Sequence, residues 1–116
     1  MLSRRNRIGD SEMIGRLAKM GTVHRCNLLL FRYAKKGGDA SRFAVNISKK
    51  IDKRAVVRNR LRRQIHEALR LSLPSLRANF DVLISAKSTV AQRNPTFGEL
   101  NQDIVAFINT LNTHAK

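Results

Sequence analysis

In KKIDKRAVVRNRLRRQIHEALR, residues 49–70, eight of the first fifteen positions are Lys or Arg, and only Asp52 offsets them. The same stretch places Val57, Leu61, Ile65, Ala68 and Leu69 at the spacing of a helix with one buried stripe. A helix is therefore expected from about Ala55 to no further than Leu73, because Pro74 cannot continue it. Opposite Leu61, the helical period gathers Asn59, Arg62, Arg63, His66 and Arg70 into one arc. A merely solvated helix face mixes charge signs and gains i,i+4 pairs. Here Arg58, Arg60, Arg62 and Arg63 repel one another with only Glu67 nearby, which favours a face made for phosphate. Arginine rather than lysine suits planar, bidentate contacts to phosphates and base edges. Asn59 is a poor mid-helix residue, and its amide suits a hydrogen bond to a ribose, base edge or phosphate.

Outward from this helix, LLLFRY (28–33) and RFAVNIS (42–48) read as strands joined by the turn residues KKGGDA. They are expected to form a β-hairpin with one apolar face. The other face of the second strand holds Ala44, Asn46 and Ser48, so something other than the main core should lie over it. Before the strands, Asp10 or Ser11 caps a short helix carrying Met13, Ile14, Leu17 and Ala18, weakened by Gly15 and stopped by Gly21. The basic SRRNRI ahead of it is expected to be mobile. After the long helix, FDVLISA (80–86) reads as a strand and a polar loop runs through Pro95. Thr96 and Glu99 form a capping box for a last helix with Phe97, Leu100, Ile104, Phe107 and Leu111 on one stripe.

The 116 residues hold 23 basic and 8 acidic side chains, a formal charge of +15 that seeks a polyanion. Residues 1–70 carry 19 of the basic and 5 of the acidic groups; residues 71–116 carry 4 and 3. One part binds and the other packs. The 42% hydrophobic fraction is too high for a disordered basic tail, and the length suits one domain over residues 1–116. No apolar run is long enough to span a bilayer, so a cytoplasmic protein with no membrane partner is expected. The lone Cys26 excludes an internal disulfide and reads as a small, partly buried thiol.

SKKIDKRAVVRNRLRRQIHE resembles the signature of the bacterial ribonuclease P protein subunit, whose long helix carries an Arg-Asn-Arg run that Arg58, Asn59 and Arg60 match. Lys49 and Lys50 match the paired lysines before that helix, and MLSRRNRI, Arg42 with VNISKK, and FDVLISAKS extend the likeness over nearly the whole chain. The resemblance implies an α/β (α+β) two-layer sandwich in αβββαβα order, with a left-handed βαβ crossover against the usual rule. It implies that a large RNA is the catalyst, with Mg²⁺ held by RNA and substrate, and that it cuts the 5′ leader from precursor tRNA. The protein would supply no catalytic residue and no metal ligand, one protein joining each RNA. By the same carry-over, Arg58, Asn59, Arg60, Arg62 and Arg63 would contact ribonuclease P RNA, and Lys49, Lys50, Lys53, Arg54 and His66 are expected to join them. The leader would lie in a cleft between the first helix and the outer sheet face, lined by Ile14, Leu17, Ala44, Asn46, Ser48, Tyr33 and Arg32. Arg16, Lys19 and Lys87 would track its phosphates. This chain departs from the family at Ile14 and Ala18, which replace aromatic rings, and at His66, which replaces an arginine. Asp52-Lys53-Arg54 also makes the loop before the long helix one residue longer than in many members.

A protein-only nuclease would need an acid and a base, or clustered carboxylates for metal ions. His24, His66 and His114 fall on different elements, His66 being expected at phosphate or solvent and the other two at the surface. A ribosomal or RNA-chaperone protein is the nearer rival, since charge alone fits it equally well. The Arg-Asn-Arg helix after paired lysines separates the two. No helix-turn-helix pattern supports a DNA-binding repressor.

Overall fold

The structure, a computed structural model, describes residues 2–35, 40–88, 90 and 94–114. Residues 36–39 of the expected turn, residues 89 and 91–93 of the polar loop, and the His114 side chain lie outside the described residues. A 3₁₀ turn (Arg4–Asn6) leads into α1 (Ser11–Met20), β1 (Thr22–Arg25), β2 (Leu29–Lys35) and β3 (Arg42–Asn46). Then come α2 (Ala55–Ser72), a 3₁₀ turn (Leu73–Ser75), β4 (Phe80–Ala86) and α3 (Phe97–His114). The expected αβββαβα order is present. Asp10 caps α1 by accepting the Glu12 N–H, and Thr96 with Glu99 caps α3 reciprocally: Glu99 N donates to Thr96 Oγ1 and Thr96 N to Glu99 Oε1.

The sheet order is β1-β2-β4-β3, with β4 antiparallel to β2 and parallel to β3. β2 and β3 are therefore not the hairpin partners that their turn residues suggest. The reason lies in β4, whose Phe80 to Ile84 are all buried. A strand buried on both faces belongs inside a sheet. The hairpin instead joins β2 to β1, a strand that the αβββαβα order implied but the residue pattern did not locate, and Cys26 N–H to Leu29 O closes it at 2.9 Å.

On the inner face, Leu29, Phe31, Tyr33, Phe43, Val82 and Ile84 meet α2 and α3. Phe31 stacks on Phe107 with centroids 4.0 Å apart. The His24 ring lies 5.6 Å from Phe107 and 6.0 Å from Phe31, half-buried at this aromatic cluster rather than at the surface. Asp103 of α3 is buried and accepts the Leu28 and Leu29 N–H groups at 2.8 and 3.1 Å, tying the last helix to the first hairpin. Cys26 packs beside it, its thiol pushed up to about 11 by burial and then by Asp103, which suits the structural role expected.

The outer face carries a smaller cluster: Ile8, Leu17 and Leu83, with Met13, Ile14 and Ala44 against them. α1 thus adds a partial third layer. The basic N-terminus, expected to be mobile, is docked. Leu2 is buried in the main core, Asn6 Nδ2 donates to Ser41 O, and Ile8 N donates to Phe43 O. Its apolar Leu2 and Ile8 give it a burial term that its arginines hide in the sequence, and it covers the free edge of β3.

Candidate nucleic-acid interface

Burial of Leu61, Ile65, Ala68 and Leu69 turns Asn59, Arg60 and Arg63 to solvent and leaves Arg58 and Arg62 half-exposed. The loop ahead of α2 is folded onto itself. Ile51 is buried as its anchor, while Lys49, Lys50, Lys53 and Arg54 are exposed around it. Arg54 grips Asp52 through Nε and Nη2 at 3.1 and 3.0 Å, and its backbone N–H donates to the same carboxylate. These bonds hold the Asp52 carboxyl down at about 2. Arg58 Nη1 donates to the carbonyls of Asp52 and Lys53 at 2.8 and 2.9 Å.

The arginines are therefore less mutually exposed than their sequence suggests. Arg62 Nη1 donates to Asn59 Oδ1 and Arg60 Nη2 to Asn94 Oδ1, both at 2.6 Å, and Arg70 pairs with Glu67. Asn59 acts here as the support that aims Arg62. The first turn of α2 has no acidic residue and no side-chain cap from Arg54, so the positive end of the helix adds to the same field.

His66 departs from expectation. It is only 7% exposed and, among the described residues, its Nδ1 has no hydrogen-bond partner, so it lies covered one turn after Arg62 rather than open to phosphate or solvent. Burial lowers its pKa, and Arg7, the chain's amino group and Arg62 push the same way. Sequence periodicity placed it beside Arg62 correctly but left it open, because the N-terminal segment carrying Arg7 was expected to be mobile rather than docked.

On the outer sheet face, the register lines Val23, Arg32, Leu83 and Ala44 in one row and Arg25, Leu30, Ser85 and Asn46 in the next. α1 sits over the first row. Leu17 is 2% exposed and, with Ile14 and Ala44, forms packing rather than the open wall of a cleft. Tyr33 faces the other way, into the inner core, with its ring 5.5 Å from Phe107. In the first row Val23 is exposed and Arg32 half-buried, and the second row is the more accessible, with exposed Arg25 and Asn46 and half-buried Leu30 and Ser85. Ser48 follows it exposed, Lys87 half-buried, and Arg16 and Lys19 are exposed on α1. Arg25, Leu30 and Ser85 were missed because only strand pairing brings them beside Asn46.

Among the described residues, no three His, Cys, Asp or Glu side chains come together as a metal site would require. Among the described residues, no helix is long and apolar enough to cross a membrane.

The pattern of the family described as Ribonuclease P matches residues 2–112. The chain belongs to the Ribonuclease P family. A ribonuclease P protein component from Synechocystis sp. is 40% identical over 67 residues, which cover 57% of this chain and 54% of the relative. The chain thus spans about half the length of that relative. The ribonuclease P protein component of Chloroflexus aggregans is 31% identical over 107 residues, 92% of this chain and 78% of the relative. The RNase P protein from Thermotoga maritima shares the fold, with a TM-score of 0.79 at 19% identity over 92% of this chain and 96% of its own. Within this Ribonuclease P fold, the Arg-Asn-Arg run lies on the first two turns of α2, where Asp52, Lys53 and Asn94 brace two of its members.

Proposed function

We propose that the chain is the protein subunit of a ribonuclease P ribonucleoprotein, a tRNA-processing endoribonuclease complex. The arginine face of α2 and the Lys49–Arg54 loop bind the ribonuclease P RNA, one protein to one RNA. The row Arg25, Leu30, Ser85 and Asn46, flanked by Ser48 and Lys87, receives the single-stranded 5′ leader of precursor tRNA. With Ile14 and Ala18 in place of rings on α1, the leader is held by charge and reach more than by stacking. The observation that carries this reading is the braced Arg58-Asn59-Arg60 run, which presents cations in fixed geometry on a chain of charge +15. A rigid fork loses little freedom when it meets a phosphate. The RNA performs the hydrolysis with Mg²⁺ held by RNA and substrate, and the site of action is the cytoplasm. The protein lowers the need for Mg²⁺ by offsetting repulsion between two RNAs.

Reconstitution tests this. Precursor tRNA is incubated with protein alone, with cognate RNA across a Mg²⁺ series, and with both. Cleavage is expected from the RNA at high Mg²⁺, at lower Mg²⁺ with protein added, and not from protein alone. Cleavage by pure protein, or no effect of protein on the Mg²⁺ requirement, overturns the reading.

A further inference from the structure

Beside the braced arginines, where the loop before α2 meets the loop before α3, is a cavity of about 250 Å³. Its apolar lining comes from Ile51, Val57, Leu61, Val90 and Pro95. Its polar lining is cationic: Arg54 and Arg60, with Asn94 and the Asp52 carboxylate already gripped by Arg54. The cavity is smaller than the roughly 300–1,000 Å³ that drug-sized ligands occupy, so it suits one flat ring system rather than a whole nucleotide.

Three features argue for an occupant. The Arg60–Asn94 bond joins α2 to the facing loop across the site, so the lining is built from two elements fixed to each other. Asn94 has φ 43°, in the left-handed region that non-glycine residues enter at a cost, and such positions gather at binding sites. The uncapped positive end of α2 lies at the same corner, next to Arg54. The apolar side chains suit a neutral ring, while the cations beside them favour an anion nearby. A base within a duplex cannot offer its face to such a hole; an unpaired base can, and apolar side chains hold bases that leave the stack.

We propose that this cavity receives one unpaired nucleobase of the bound RNA, with the adjoining phosphates on Arg54 and Arg60. The inference rests on the RNA-binding function above and adds a specific point of recognition to it. The occupant chemistry is a neutral heteroaromatic ring carried on a phosphodiester.

Val57→Phe, which fills the cavity without altering charge, tests this against Val56→Phe on the exposed neighbour. Both are checked for folding by thermal melting. Val57→Phe is expected to weaken binding of the cognate RNA about tenfold with an unchanged salt dependence, and Val56→Phe to stay within about twofold. Equal affinity of Val57→Phe and wild type overturns the proposal. If Val57→Phe does not fold, amide NMR of the wild type decides. Adenosine and uridine 5′-monophosphates are expected to shift Ile51, Val57 and Val90, which inorganic phosphate does not. Identical shifts from nucleotide and phosphate overturn the base pocket. Wild-type protein that binds no ribonuclease P RNA overturns the underlying function instead, a distinct result.

Discussion

Two glycines in and after α1 have opposite roles that chain position alone does not separate. A Cβ on Gly21 would lie 2.7 Å from Leu17 O and 3.2 Å from Tyr33 N, both backbone atoms that cannot step aside. Gly21→Ala is therefore expected to destabilise the protein by about 1–3 kcal/mol, whereas Gly15→Ala is expected to stabilise it by about 0.5–1 kcal/mol. Nothing lies within 4 Å of the Cβ added at Gly15. Urea unfolding midpoints of the two variants measure both. The sequence marked Gly21 as the helix stop, but the close approach of β2 exists only once the sheet has formed. His66 makes the same point with a titratable group. Its pKa is lowered in the fold, so the unfolded chain holds the extra proton. Stability from this group is complete above its ordinary value near 6.5 and declines as pH falls below it. Melting temperature is expected to drop between pH 7.5 and 5.5, and less so in His66→Gln. Parallel pH profiles for the two proteins would contradict a buried neutral imidazole.

At the scale of elements, α2 was legible almost to the residue because burial spacing and a proline stop are local signals. The work of its arginines was not. Arg58 braces carbonyls of the preceding loop, whereas Arg63 is exposed with no such bond described. Arg63→Ala is thus expected to lower the salt slope of RNA binding by about one and leave the fold alone. Arg58→Ala is expected to lose about 1–3 kcal/mol of RNA affinity and also to free the 52–54 loop, seen as faster amide exchange there. Identical behaviour of the two variants would mean that the brace has no consequence. The outer sheet face carries its own prediction. Asn46→Trp, on the accessible row, is expected to weaken binding of precursor tRNA with a leader several nucleotides long while sparing mature tRNA and RNA assembly. Equal losses for precursor and mature tRNA would remove that row from leader binding.

Across the whole molecule, charge and packing divide the chain as the counts of basic and acidic residues suggested, with one exception at the N-terminus. Three arginines at positions 4, 5 and 7 make that segment read as a solvated arm, yet Leu2 is 3% exposed in the main core. Leu2→Ala is expected to cost about 2–4 kcal/mol, the range for a leucine deleted from a packed core. It should also loosen the segment that lies along β3. A change within about 0.5 kcal/mol, read by chemical denaturation, would mean the segment is held only at its polar contacts.

The sequence alone determined the helix limits, the strand at 80–86, the α3 capping box and the basic character of one half, because each depends on spacing or composition within a few residues. Only tertiary structure decided that β4 separates β2 from β3, that Tyr33 faces inward, and that His66 lies under cover while Arg25 and Ser85 join Asn46. Those outcomes depend on partners dozens of residues away. A side chain's face in a sheet follows from which strand pairs beside it and which helix lies above, and neither is encoded in local period.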